Sequence, residues 1–200
     1  DALPIYDCPL IILHRNIEAP NVSSITSDSE RATKIAVEYL MGAGHKHIGL
    51  VTRPGDQENI RHLWGYRNTL AARKIKYRDH YIIQCDTNLR GGYEATYRLL
   101  SLNPKITAVA TYNDLMAIGA IKACHDLGKR VPDDVSIVGY DDIDLSSYVT
   151  PKLTTLRFKG YDVGYQAFKR LINMIERPED IYPPAVLDIE LVIRESTSTI

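Results

Sequence analysis

Residues 27–155 repeat one unit, a short apolar and β-branched run followed by a helical pattern, and this repeat constrains the fold more than any other feature. The runs are His47–Thr52, Tyr81–Cys85, Ile106–Thr111 and Val135–Tyr140. Helical spacing marks about 29–42, 60–74, 91–101 and 115–127; in the last, Leu115, Ile118, Ala120, Ile121 and Cys124 recur on one face and Gly128 supplies a C-terminal stop. Met41-Gly42-Ala43-Gly44 ends the first helix in the same way. A strand–helix period of roughly 30 residues is the βαβ unit, and continuously apolar strands belong to a parallel sheet buried on both faces. The expected class is α/β, doubly wound.

Two regions fall outside the repeat. Residues 1–27 hold one predicted strand, Pro9–Leu13, then His14-Arg15-Asn16 and a polar turn. After Pro151 come a strand at Leu153–Phe158, a helix over about 161–176, a Pro-rich loop and a strand at Ala185–Ile193. Pieces that flank a regular core on both sides in sequence predict two lobes joined by several crossings, one whole and one cut.

The stretch from Val131 to Asp142 says most about function. A Pro-containing turn leads into an apolar strand that ends in Gly139, Tyr140, Asp141 and Asp142. Ligands of open parallel sheets bind beyond the carboxyl ends of the strands, so paired acids there predict a cleft holding a small polar molecule. Composition excludes other classes. No apolar run approaches the roughly 20 residues of a membrane span, and the first residues lack a basic-then-apolar export pattern. A net charge of −1 offers no electrostatic footprint for nucleic acid. Cys8, Cys85 and Cys124 form no CxxC and read as free thiols of a reducing cytoplasm. There is no Gly-x-Ser-x-Gly elbow, zinc-spaced His/Cys set or P-loop, so no cofactor, metal or enzymatic activity is expected.

Six stretches then converge: Glu38–Ile48, Gly65-Tyr66, Tyr112–Ala120, Val131–Asp142, Pro151–Thr155 and Val192–Thr197. In content and order they resemble the effector-binding domain of the LacI/GalR family of bacterial transcription regulators. The resemblance implies a two-lobed, periplasmic-binding-protein-like fold with doubly wound parallel sheets. It also implies that the first lobe is incomplete: residues 1–27 and 157–188 would be its remnant, and 28–156 with 189–200 the C-terminal lobe. The implied function is sensing of a small effector, a sugar or derivative bound between lobes, by a cytoplasmic homodimeric repressor. Operator DNA would be contacted only through an N-terminal helix-turn-helix absent from these residues. An incomplete lobe should expose a sheet edge and uncover Ile11, Leu13, Phe168 and Leu171. Two other readings share some features. A periplasmic sugar-binding protein has the same fold but fits the free cysteines poorly. A glycosidase needs two opposed carboxyls, whereas adjacent Asp141 and Asp142 point in different directions.

The resemblance places effector contacts at Asn113 and Asp141. Asn113 also reads as a helix N-cap, a task Asp114 could perform instead; Asp141 can accept two hydroxyl donors, and Asp142 is expected to be structural. His14-Arg15 occupies the position of a family Asp-Arg pair, and His14 departs from that pattern. Arg61 and His62 share the position of a family Arg, three residues before Gly65 in the case of His62. Asp86 and Thr87 follow the strand at Tyr81–Cys85, with Thr87 in place of a stacking aromatic. Thr52 and Arg53 end another strand and read equally as cleft or loop, while Tyr112 and Tyr140 are candidate cleft walls. His45 and His47 have metal-like spacing without a third ligand nearby, and Gly91-Gly92 precedes a helix without the full phosphate-binding fingerprint.

Overall fold

In the computed structural model, which describes residues 8–17, 19–55, 57–158 and 160–200, the chain divides into two units. The larger comprises residues 29–157 and 190–200, and the smaller residues 1–28 and 158–189. Residues 1–7 of the first expected segment lie outside the described residues.

The larger unit is built on a six-stranded sheet. Its strands are β3 (Ile48–Thr52), β4 (Ile82–Gln84), β5 (Ala108–Thr111), β6 (Ser136–Asp141), β7 (Thr154–Phe158) and β9 (Ile189–Val192), in the spatial order β4-β3-β5-β6-β7-β9. From β4 through β7 every pairing is parallel. β3 and β5 are buried at every position, which is why they read as unbroken apolar runs and not as alternating ones. The helices are α1 (Ser29–Gly42), α2 (Gln57–Ala72), α3 (Leu89–Leu102) and α4 (Asp114–Asp126). They cover opposite faces. Gly49 faces Leu99 of α3, while Thr52, of opposite parity along the strand, bonds Asn59 of α2. The α3–α4 side carries a core that includes Leu99, Ile106, Met116, Ile137 and Leu153. Gly44 and Gly128, with φ of +99° and +69°, follow the ends of α1 and α4 as left-handed terminators.

Gly92 and Gly119 allow α3 and α4 to touch backbone to backbone, since a Cβ at either position would overlap the other helix. The Gly91-Gly92 pair therefore serves helix packing. Its first helical amide, Gly91 N, is already satisfied by the side chain of Asn88 at 2.8 Å.

The smaller unit has a three-stranded parallel sheet, β1 (Leu10–Leu13), β2 (Val22–Ser27) and β8 (Ala185–Leu187), in the order β1-β2-β8, with α5 (Gly160–Glu176). Two expectations are corrected here. Val22–Ser27 is a central strand and not a polar turn. Its buried serines satisfy their hydroxyls locally, Ser23 donating to Tyr182 O at 2.9 Å and Ser24 accepting from Ile17 N at 3.1 Å. The single strand expected at Ala185–Ile193 breaks at Asp188, so that β8 joins the small sheet and β9 the large one. β1 is an edge strand, and Leu13 and Phe168 are exposed while Ile11 and Leu171 are half-buried.

Candidate functional site

The order of β4-β3-β5-β6-β7 reverses direction between β3 and β5, which is where an open α/β sheet leaves a crevice beyond its carboxyl ends. The pairing of Val51 with Thr111 and of Ala110 with Val138 sets the register there. Tyr112 N continues it by donating to Val51 O at 2.9 Å. Extended to the strand ends, that register aligns Thr52, Tyr112 and Tyr140 in one row and Arg53, Asn113 and Asp141 in the next. Residues far apart in sequence thus meet along one lip.

The Tyr row has a backing. His62, on α2, is 4 % exposed; its ring lies 4.7 Å from that of Tyr112 and 5.5 Å from that of Tyr140, and Nδ1 is 2.7 Å from Thr33 Oγ1. Its burial places it as a support behind the aromatic wall. Arg61, about 100° around the helix, is exposed.

In the second row Asn113 is the N-cap of α4. Its side-chain oxygen accepts from Met116 N at 2.8 Å, and Nδ2 donates to Thr87 O at 3.3 Å. Thr87 enters through its carbonyl. Asp86 is exposed, and its carbonyl packs where a Cβ on Gly91 would stand. Arg53 stacks over Tyr112, its guanidinium carbon 5.6 Å from the ring centroid and Nη1 3.4 Å from the hydroxyl.

Asp141 has φ +112° and Asp142 φ +52°. A non-glycine residue at the former value is held in a strained conformation costing about 1–3 kcal/mol, a situation concentrated at functional sites. Asp141 keeps a face to solvent, yet protein packed around its carboxyl, and then the nearby Asp114, push its pKa up to about 7. Asp114 was read from the sequence only as an alternative cap. It is fully buried, accepting from Thr155 Oγ1 at 2.5 Å and Ile143 N at 2.9 Å. Burial lifts its pKa to about 6 against those hydrogen bonds. A Cβ on Gly139 would overlap its carboxylate. Only the run Asn-Asp-Leu at a strand–helix junction hinted at it.

Asp142 is structural, bound by Arg157 Nε at 2.5 Å, Arg194 Nη2 at 2.6 Å and Ser146 Oγ at 2.8 Å. Burial opposes its ionisation, but these donors outweigh burial and lower its pKa. His45 is buried between Thr107 Oγ1 (2.9 Å) and Ser198 O (3.1 Å), and His47 bonds Tyr81 at 2.8 Å. Among the described residues no group of three or more His, Cys, Asp or Glu side chains is placed to hold a metal. His14 and Arg15 belong to the smaller unit, exposed just after β1, with His14 at φ +63° and its ring edge-on to Phe158 at 6.4 Å. No helix among the described residues is long and apolar enough to cross a membrane.

Residues 19–197 match the model of the periplasmic binding protein-like domain. Over 189 residues the chain is 32% identical to the probable HTH-type transcriptional repressor ExuR of Bacillus subtilis, and 33% identical to the ribose operon repressor of Haemophilus influenzae. Each alignment covers 94% of this chain and 57% of the relative, so the chain spans little more than half the length of these proteins. Among solved structures, a LacI family transcriptional regulator from Enterococcus faecium with bound ribose superposes with a TM-score of 0.88. It is 29% identical, over 96% of this chain and 72% of the other.

Proposed function

Because the chain belongs to the periplasmic-binding-protein-like domain family and is similar along most of its length to LacI-family regulators, we propose that it is the effector-sensing domain of a bacterial transcriptional repressor. It binds a sugar or sugar derivative at the strand ends of its larger unit. The observation that carries this reading is the strained Asp141 aligned with Asn113 beyond the sheet's switch point. A carboxylate and an amide together accept and donate, which is the chemistry that polyols require. The reading assigns Arg61, His62, Asp86 and Thr87 to the site in the larger unit, and His14 and Arg15 to effector contacts from the smaller unit. It assigns the protein to the cytoplasm, operator recognition to a helix-turn-helix outside these residues, and dimerisation to a second copy of the same protein. The role is binding and not turnover.

The similar ribose-bound structure makes ribose the first probe. Thermal melting against ribose, hexoses and their acid and phosphate derivatives tests the reading. A ligand at 100 times its Kd adds about 2.7 kcal/mol. A stabilising ligand should be recovered unchanged after prolonged incubation; its conversion to product would favour an enzyme instead.

A further inference from the structure

The turn that carries Asp141 runs through positive φ at Asp141 and Asp142, a conformation that persists only where the surroundings impose it. Part of the restraint is the tie of Asp142 to Arg157, Arg194 and Ser146. The rest comes from α4. Asp114 opens that helix directly after Asn113, and its carboxylate touches the chain on both sides of the turn. Before the turn, Oδ1 lies against Gly139, where a Cβ would overlap it; after the turn, Oδ2 accepts from Ile143 N at 2.9 Å. Thr155 on β7 donates to Oδ1 at 2.5 Å and fixes the rotation of the group. Residues 140–142 are thus bracketed by one side chain.

Asp114 is fully buried, a costly place for an acid unless its oxygens are bonded. An amide has one oxygen and could not accept at both positions, so the bracket is specific to a carboxylate. The first turn of α4 therefore supplies Asn113 to the row at the strand ends and, one residue on, the support beneath Asp141. The support is also electrostatic. Burial raises the pKa of Asp114 to about 6, and hydrogen bonds from Thr155 and from the Ile143 and Tyr140 backbone oppose the rise. Burial and then Asp114 push Asp141 up to about 7. The other charges around the turn are Asp142, Arg157, Glu190 and Arg194, joined to one another, the exposed Asp144, and Arg53 two strands away in the same row.

We propose that Asp114 is the positioning residue of this site: its sealed carboxylate holds the turn at Asp141 and so sets how Asp141 meets the ligand. The inference rests on the effector-site reading above.

Isothermal titration with ribose and with glucose between pH 6 and pH 8, together with carbon-13 NMR of the Asp141 carboxyl over the same range, tests it. The parent, Asp114→Asn, Thr155→Val and Asp141→Asn are compared, the last to assign the resonance. Asp114→Asn keeps the size of the side chain but loses its charge and one acceptor. Its sugar affinity at pH 8, where Asp141 is largely ionised, should fall about tenfold, and the Asp141 titration should move down by about half a pH unit or more. A merely structural role would leave that titration in place. Thr155→Val frees one oxygen of Asp114 and keeps its charge, so it serves where Asp114→Asn does not fold; about threefold weaker binding is expected. Unchanged affinity in either variant, or an unmoved Asp141 titration in Asp114→Asn, overturns the role of Asp114. If Asp141→Asn still weakens sugar binding in that case, the effector-site reading stands without it. Absence of binding by both sugars overturns both.

Discussion

Asp114 raises the affinity of Asp141 for a proton across the junction of α4 and β6, adding to the effect of burial. Asp114 lies sealed beneath Gly139, held by the Thr155 hydroxyl, while Asp141 sits above it on strained backbone at the open end of the sheet. Burial and Asp114 together disfavour the Asp141 carboxylate, a form that hydroxyl donors of a bound ligand would favour.

Ligand affinity should follow the ionisation of Asp141. With its pKa at about 7, the carboxylate that accepts hydroxyl protons dominates at pH 8 and is scarce at pH 6. Affinity for a neutral sugar should rise about tenfold over that interval, and titrations of Asp141→Asn should show the rise flattened. An unchanged slope in that variant would assign the titration to another group.

Stability should move the opposite way. The folded pKa of Asp141 lies above its ordinary value of 3.8, so the folded state holds the proton more tightly. The contribution is fully present below the ordinary value and is lost as pH rises through about 7. Asp141→Asn should therefore raise stability at pH 8 by about 1 kcal/mol, a small value because the exposed face is screened. It should weaken ligand binding by about 1–3 kcal/mol. Denaturant melts and titration of the same preparation measure both effects.

Asn113→Ala should lose on both counts. Removing the cap on Met116 N costs about 1 kcal/mol of stability, and removing a ligand partner costs about 1–3 kcal/mol of binding. Asn113→Asp keeps the cap acceptor, so its melting temperature should stay closer to that of the parent while binding still falls.

Asp142 should affect stability more than binding. Asp142→Ala leaves Arg194, only 14% exposed, without its carboxylate, at a cost of about 2 kcal/mol given that Arg157 is more open. The folded pKa of Asp142 is depressed, so this contribution is full above the ordinary carboxylate range and is lost as pH falls from that range through the lower folded value. Parent and variant melting temperatures should converge in acid.

Gly139→Ala should be destabilising by about 1–3 kcal/mol, the cost of overpacking a filled core. The added methyl meets the Asp114 carboxylate and Leu153. Adding Asp114→Ala to this variant should recover part of the loss, measurable as non-additivity in a double-mutant cycle.

Local spacing determined much of this protein. The apolar runs of β3, β5 and β6, the periodicity of α1 through α4 and the glycines after α1 and α4 were legible because strands and helices write their own repeat of about 2 or 3.6 residues into neighbouring positions. Asn113 was legible as a cap for the same reason. What stayed hidden depends on residues distant in the chain. The strand Val22–Ser27 is polar by composition and is a strand because Leu10–Leu13 and Ala185–Leu187 pair with it. The break at Asp188 is set by which sheet each half joins. The packing of His62 against Tyr112 and Tyr140 joins residues distant in sequence, and Asp114 becomes a buried acid only because Thr155, Ile143 and Gly139 surround it. Arg53, Asn113 and Asp141 lie 60 and 28 positions apart in sequence, and only the parallel register brings them into one row. Desolvation and register are properties of the assembled sheet, so the tertiary structure alone decided them.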